Sequence, residues 1–159
     1  MSATRIDRPE FAQLTPGVSE ALQALGRAIN ASSLAKDLLE LIKLRASQLN
    51  GCAYCLQFHL NMARELQVPA PKLDLLAAWR EAPVYSERER IALAWTEALT
   101  LASEGGADDA LYQATLQEFG PAQLGFLTAA IANINAWNRI AMALRFAPPL
   151  PAAAAAAKA

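Results

Sequence analysis

Cysteine and histidine are scarce in this chain, with two of the first and one of the second among 159 residues. Two thiols set three positions apart, Cys52 and Cys55, cannot build the disulfide framework that staples small secreted domains. A pair that close points instead to redox or metal chemistry in a reducing compartment. Lys and Arg are nowhere concentrated, and the formal net charge is −1. The basic face of a nucleic-acid binder is therefore missing. Long apolar runs are missing too: the longest candidate, around 127–134, is broken by Asn133, Asn135, Asn138 and Arg139, so no membrane-spanning helix is expected. The first fourteen residues carry charges without a following apolar run, and no signal peptide is read there. A cytoplasmic protein is expected. Sparse β-branched residues and the lack of alternating apolar and polar positions argue against a sheet.

What is present is apolar and helix-forming. Apolar residues make up 54% of the chain and charged residues 18%, a balance that belongs to folded rather than disordered proteins. The length suits one domain, read here as residues 1–147, with a Pro/Ala-rich tail at 148–159 whose final alanines are expected to fray. So much apolar surface on a small domain also suggests burial between subunits.

Helical signals follow one another along the chain. The first fifteen residues read as irregular, and Thr15-Pro16 then offers a cap and a first helical position. Val18, Leu22, Leu25 and Ile29 form the stripe of a first helix. A second runs from about Leu34 to Leu49 after a cap at Ser33, and Asn50-Gly51 stops it. A third begins near Cys52 and reaches about Leu66, and a short one follows Pro71 as far as Ala78. Ser86 and Glu89 form a capping box for a helix ended by Gly105-Gly106. Two more are expected, Asp108 to Phe119 and Pro121 to Leu144, separated by Gly120. The architecture predicted is all-α, with six or seven helices.

The chemistry concentrates on the third helix. At about 100° per residue, Cys52, Cys55 and His59 fall within roughly 60° of arc. A thiol in a first helical turn meets unpaired backbone N–H groups, which favour thiolate. An imidazole one turn away can take a proton, and the neighbouring thiol can resolve an oxidised sulfur as a disulfide. Zinc is the competing reading: two thiolates and one imidazole need a fourth ligand, for which Glu40 is available. A thioredoxin fold is disfavoured, since its CxxC sits in a strand–helix context absent here. Trp79, Trp95 and Trp137 read as core or subunit-interface aromatics rather than a substrate cage. Asn133, Asn135 and Asn138, in an apolar helix, must find hydrogen bonds, either structurally or along a site.

The run from Glu40 through Asn50-Gly51-Cys52-Ala53-Tyr54-Cys55, with His59 after it, resembles the alkylhydroperoxidase AhpD-like branch of the carboxymuconolactone decarboxylase superfamily. Ala78-Trp79-Arg80, Ser86 to Arg90 and Ile134 to Arg139 extend the likeness over about residues 15–145. The resemblance implies that Cys55 attacks a hydroperoxide and that Cys52 resolves the product and exchanges with an electron donor. Glu40 and His59 would form a proton relay through water. It implies no cofactor, a lipoyl-bearing or thioredoxin-like dithiol donor, and a homo-oligomer, trimeric or hexameric. Tyr54 stands where the best-studied type has a second histidine; a phenol donates a hydrogen bond but is no base near neutral pH, and it is a candidate substrate contact. The activity expected is a thiol-dependent hydroperoxide reductase. The alternatives are a redox-responsive helical oligomer without turnover and, ranked lower, a carboxymuconolactone decarboxylase-type enzyme, whose branch lacks the CxxC pair.

Overall fold

The computed structural model describes residues 5–151, so the expected fraying of the last alanines lies outside the described residues. Seven α-helices and no strand occur among the described residues: α1 (Arg8–Leu14), α2 (Val18–Asn30), α3 (Lys36–Asn50), α4 (Ala53–Glu65), α5 (Ala70–Asp74), α6 (Glu87–Thr100) and α7 (Asp109–Leu144). The all-α expectation holds. None of these helices is long and apolar enough to cross a membrane.

Several helix ends differ from expectation. Residues before Thr15 are not irregular: Asp7 caps α1, its carboxylate accepting the Glu10 N–H at 2.8 Å, with a proline in the first turn. Asp-x-Pro-Glu is a start signal in its own right. Thr15 closes α1 instead of opening α2, which is capped by Gly17. Ser33 does not cap α3; Ala35 precedes its first turn, and the Ser33 hydroxyl accepts from Gln123 Nε2 at 2.9 Å. The α6 helix stops at Thr100, and a 3-10 turn (Ala102–Glu104) fills the space before Gly105. The two helices expected on either side of Gly120 are both present, following one another within α7 across a non-helical Gly120. Gly120 adopts φ 69° and ψ 167°, and Pro121 restarts helical geometry at a position where its missing N–H costs nothing.

The α3 helix is the axis of the molecule. It packs against α4, α6 and α7, and Leu39, Leu41, Ile42 and Leu44 are at most 1% exposed. Each buried side chain of this kind contributes about 1.5–3 kcal/mol, so truncating Leu41 to alanine would cost about 3 kcal/mol. A helix enclosed on so many sides has little room for charge. Glu40 nevertheless lies within it, only 6% exposed. The turn after α3 sets the direction of α4. Gly51 takes the left-handed conformation at φ 70°, and the Cys52 N–H reaches back to the Ser47 carbonyl at 3.0 Å, a helix-terminating geometry that glycine adopts without steric penalty.

Candidate active site

Cys52 is the N-cap of α4, with extended backbone, and Cys55 occupies the third helical position. The Cys55 N–H donates to Cys52 Sγ at 3.3 Å, so a sulfur does here what a serine hydroxyl does at ordinary helix starts. Both thiols are buried, at 1% and 3% exposure, among Ala46, Ile134, Ala141 and Phe146.

The helix start acts unequally on the two sulfurs. Cys52 is drawn down to about 7 by the hydrogen bond from Cys55. Burial opposes this, while the Cys55 backbone N–H, the Asn138 amide and the Tyr54 backbone N–H assist. Cys55 moves the other way. It is the donor in the shared hydrogen bond, it is buried, and a charge on Cys52 repels a second one. The first negative charge of the dithiol therefore sits on Cys52. Helical spacing placed both thiols at the helix start without saying which carries the charge, and only the family resemblance gave them separate roles.

Asn138 lies under this pair and is fully buried. Its Nδ2 donates to Ser47 Oγ at 3.0 Å and its Oδ1 accepts from Asn50 Nδ2 at 2.8 Å. Asn50 also donates to Asn135 Oδ1 at 2.9 Å, and Asn135 donates to Thr100 Oγ1 at 3.1 Å. This is a satisfied polar network in an apolar setting, which fixes the side chains that make it.

Cys55 also borders a cavity of about 270 Å³ between α2, α3, α4 and α7, shared with Glu40, His59, Tyr54, Phe58 and Trp137. Cys52 is not among its lining residues. His59 Nδ1 is 2.7 Å from Glu40 Oε2, and Lys43 Nζ donates to Glu40 Oε1 at 2.8 Å. That contact corrects the expected relay through water: at 2.7 Å the two groups touch directly, and no molecule fits between these atoms. Burial pushes the Glu40 carboxyl upward, but the His59 and Lys43 contacts outweigh it and leave the group below its ordinary value of 4.5. A carboxylate against Nδ1 holds the proton on that nitrogen and leaves Nε2 with a lone pair.

Four predicted site residues thus fall in one neighbourhood, three of them on the cavity wall. Among the described residues no group of three or more Cys, His, Asp or Glu side chains is arranged to hold a metal. Tyr54 lines the cavity, its ring edge-on to Phe146 at 5.5 Å. Trp79 and Trp95 are core residues, at 4% and 6% exposure, whereas Trp137 lines the cavity and not only the core. Arg8, Lys43 and Asn133 belong to the same wall. Nothing in the spacing of Arg8 or Lys43 marked them; Asn133 carried a signal, an amide in an apolar helix.

The family model described as the carboxymuconolactone decarboxylase family matches residues 16–98, which include Glu40, Cys52, Cys55 and His59. The chain belongs to the carboxymuconolactone decarboxylase family. Its fold is that of the AhpD-like branch. Among members with similar sequence, the uncharacterised YdfG of Bacillus subtilis (strain 168) is 32% identical over 137 residues, covering 86% of this chain and 93% of that protein. A protein of unknown function from Agrobacterium tumefaciens, described as a candidate AhpD-type antioxidant defence protein, superposes with a TM-score of 0.88 at 37% identity, covering 94% and 100% of the two chains. A cysteine-to-alanine variant of the debrominase Bmp8, in complex with 2,3,4-tribromopyrrole, shares the fold at a TM-score of 0.74 and 22% identity, covering 85% and 72%. The carboxymuconolactone decarboxylase match stops before α7, so Asn135, Asn138 and Trp137 lie beyond it, while the network partners Ser47 and Asn50 lie within it.

Proposed function

We propose that this protein is a dithiol-dependent hydroperoxide reductase in which Cys55 meets the peroxide and Cys52 resolves it. The observation that carries the reading is a sulfur and a carboxylate-bound imidazole on the wall of one apolar cavity, with a second sulfur directly behind the first. With the Cys52 thiol protonated, so that the two sulfurs are not charged together, His59 Nε2 takes the proton of Cys55 as general base. The Cys55 thiolate then attacks the terminal peroxide oxygen and the O–O bond breaks. His59 returns its proton to the departing alkoxide, which leaves as alcohol, and Cys55 becomes a sulfenic acid. The Cys52 thiolate attacks that sulfur, the S–O bond breaks, and hydroxide leaves to become water by taking a proton from solvent. An external dithiol supplies two electrons and two protons to restore the pair.

Glu40 keeps His59 in the tautomer this needs and stabilises the imidazolium while it exists. Once Cys55 is a neutral sulfenic acid, the Cys52 thiol gives up its proton to His59, and the backbone N–H groups at the start of α4 and the Asn138 amide favour the resolving thiolate. A lipoyl-bearing or thioredoxin-like protein as donor, a trimeric or hexameric assembly and a cytoplasmic setting complete the reading. Exposed apolar side chains such as Val18, Leu25 and Phe126 offer surface for self-association.

The test is peroxide consumption with a dithiol donor. Cys55→Ser should lose turnover by about a thousandfold. Cys52→Ser should react once and then over-oxidise at Cys55, seen by mass spectrometry. Wild-type turnover in Cys55→Ser would end the proposal. Background turnover in the wild type, with an elution volume that changes on adding reductant, would favour a redox-responsive oligomer instead.

A further inference from the structure

We propose that the cavity beside Cys55 selects a compact organic hydroperoxide with an apolar body and an anionic group, the anion being held by Arg8 at the cavity wall. The inference rests on the peroxidase reading and adds the substrate class to it. Its first support is size and lining. About 270 Å³ is nearly twice an apolar cavity of about 150 Å³ that holds benzene, which sets the guest at an aryl ring with a few further atoms. Leu22, Ile29, Phe58, Met62, Ile134 and Trp137 provide apolar wall, which hydrogen peroxide would not use.

The second support is the state of the charges. An arginine and a lysine line the cavity, Arg8 and Lys43. Lys43 is taken up by Glu40 at 2.8 Å. Arg8 forms no ion pair with a carboxylate among the described residues; its guanidinium instead sits 6.0 Å over the Phe58 ring. Arg8 is exposed at the mouth of the cavity and bears on the Tyr54 hydroxyl, which takes part of its hydrogen-bonding capacity and leaves the remaining guanidinium donors for an anion arriving there. The third support is an acceptor without a donor. Asn133 Oδ1 is buried and unpartnered, and Asn133 lines the same cavity. An orphaned acceptor costs free energy, and a turn of the Asn133 amide toward the cavity would offer it to the O–H of a hydroperoxide or of its product alcohol. The guest so described is apolar in the middle, with an O–H and a negative charge on its periphery.

The experiment compares cumene hydroperoxide with its para-carboxylate derivative. Wild-type kcat/KM should favour the carboxylate by about fivefold, the scale of a partly exposed ion pair. The preference should shrink as sodium chloride is raised. In Arg8→Met the ratio should fall to about one, and Arg8→Lys should restore part of it. Binding of the two product alcohols, followed by NMR titration, should show the same preference and the same loss in Arg8→Met. Equal kcat/KM and equal alcohol binding for the charged and neutral compounds would overturn the substrate class while leaving peroxidase activity in place. Absence of any turnover, with Arg8-dependent binding of the carboxylated alcohol, would uphold the site and overturn the peroxidase reading instead.

Discussion

Glu40 and Glu97 are a matched pair with opposite uses. Each is a glutamate inside a helix, each is mostly buried, and each is tied to α3. Glu97 on α6 accepts from Trp79 Nε1 at 2.7 Å, from Arg45 Nε at 2.7 Å and from Arg80 at 2.5 Å. Burial pushes its carboxyl up, and these three donors together bring it below the ordinary value. None of the three gives up a proton at physiological pH. Glu40, by contrast, has Lys43 on one oxygen and His59 on the other, and an imidazole does exchange its proton. One carboxylate locks α3, α6 and the Trp79 segment together. The other is placed to bias a proton acceptor beside a sulfur. Burial and a lowered carboxyl alone do not separate a structural acid from a chemical one; the partner's ability to titrate does.

The largest effect should come from breaking the chemical member. Glu40→Gln keeps the shape but lets the amide present either a donor or an acceptor to Nδ1, so the tautomer is no longer imposed. A drop of about a hundredfold in kcat/KM at neutral pH is expected, with stability lower by about 1 kcal/mol. Peroxide-reduction kinetics alongside a denaturant titration check this. Turnover within twofold of wild type would place Glu40 with Glu97 as a structural acid.

Glu97→Gln should invert that pattern. It leaves Arg45, 14% exposed at its side chain, without its anion, while Arg80 at 62% stays in water. The stability loss should be about 2–3 kcal/mol, less than a fully buried pair costs because of that exposure. Folded protein should retain its turnover within about twofold. The same variant isolates an acid-dependent contribution. A group whose folded-state carboxyl lies below its ordinary 4.5 stabilises fully above that pH and loses the contribution as the pH falls through the folded value. The gap between wild type and Glu97→Gln should therefore narrow below about pH 4.5 in urea titrations. A gap that widens in acid would show the carboxylate to be unpaired.

Sequence made part of this contrast legible. The Cys52-x-x-Cys55 pair with His59 lies on one local helix, so helical spacing alone placed it. The Ser86–Glu89 capping box and the Asn50-Gly51 stop were also local, and both occur as read. Partners distant in the chain were not. Trp79, Arg45 and Arg80 meet Glu97 only because α3 and α6 pack side by side, and no spacing rule marks such a convergence. Arg8 reaches the cavity from a helix that the sequence reading left irregular. Glu40 was singled out through resemblance, because a glutamate on an amphipathic helix ordinarily faces water. Only the packing of α3 on several sides makes its burial visible.

The smallest effect, and the sharpest on the sulfurs, concerns Asn138. The Asn50, Asn135 and Asn138 network has no titrating member, as around Glu97, yet it abuts the dithiol, as Glu40 abuts the imidazole. If its part is only to satisfy buried amides, replacing Asn138 should cost stability and leave the thiols unchanged. If its amide also steadies charge on Cys52, Asn138→Ala should raise the first thiol titration slightly. Asn138→Asp should raise it further, since a carboxylate beside a thiolate repels it. Ultraviolet absorbance of the thiolate, followed against pH in folded protein, reads this directly and does not respond to stability. A midpoint that stays near 7 in both variants would assign Asn138 to packing alone and leave the backbone N–H groups at the start of α4 as the main external support for the charge on Cys52.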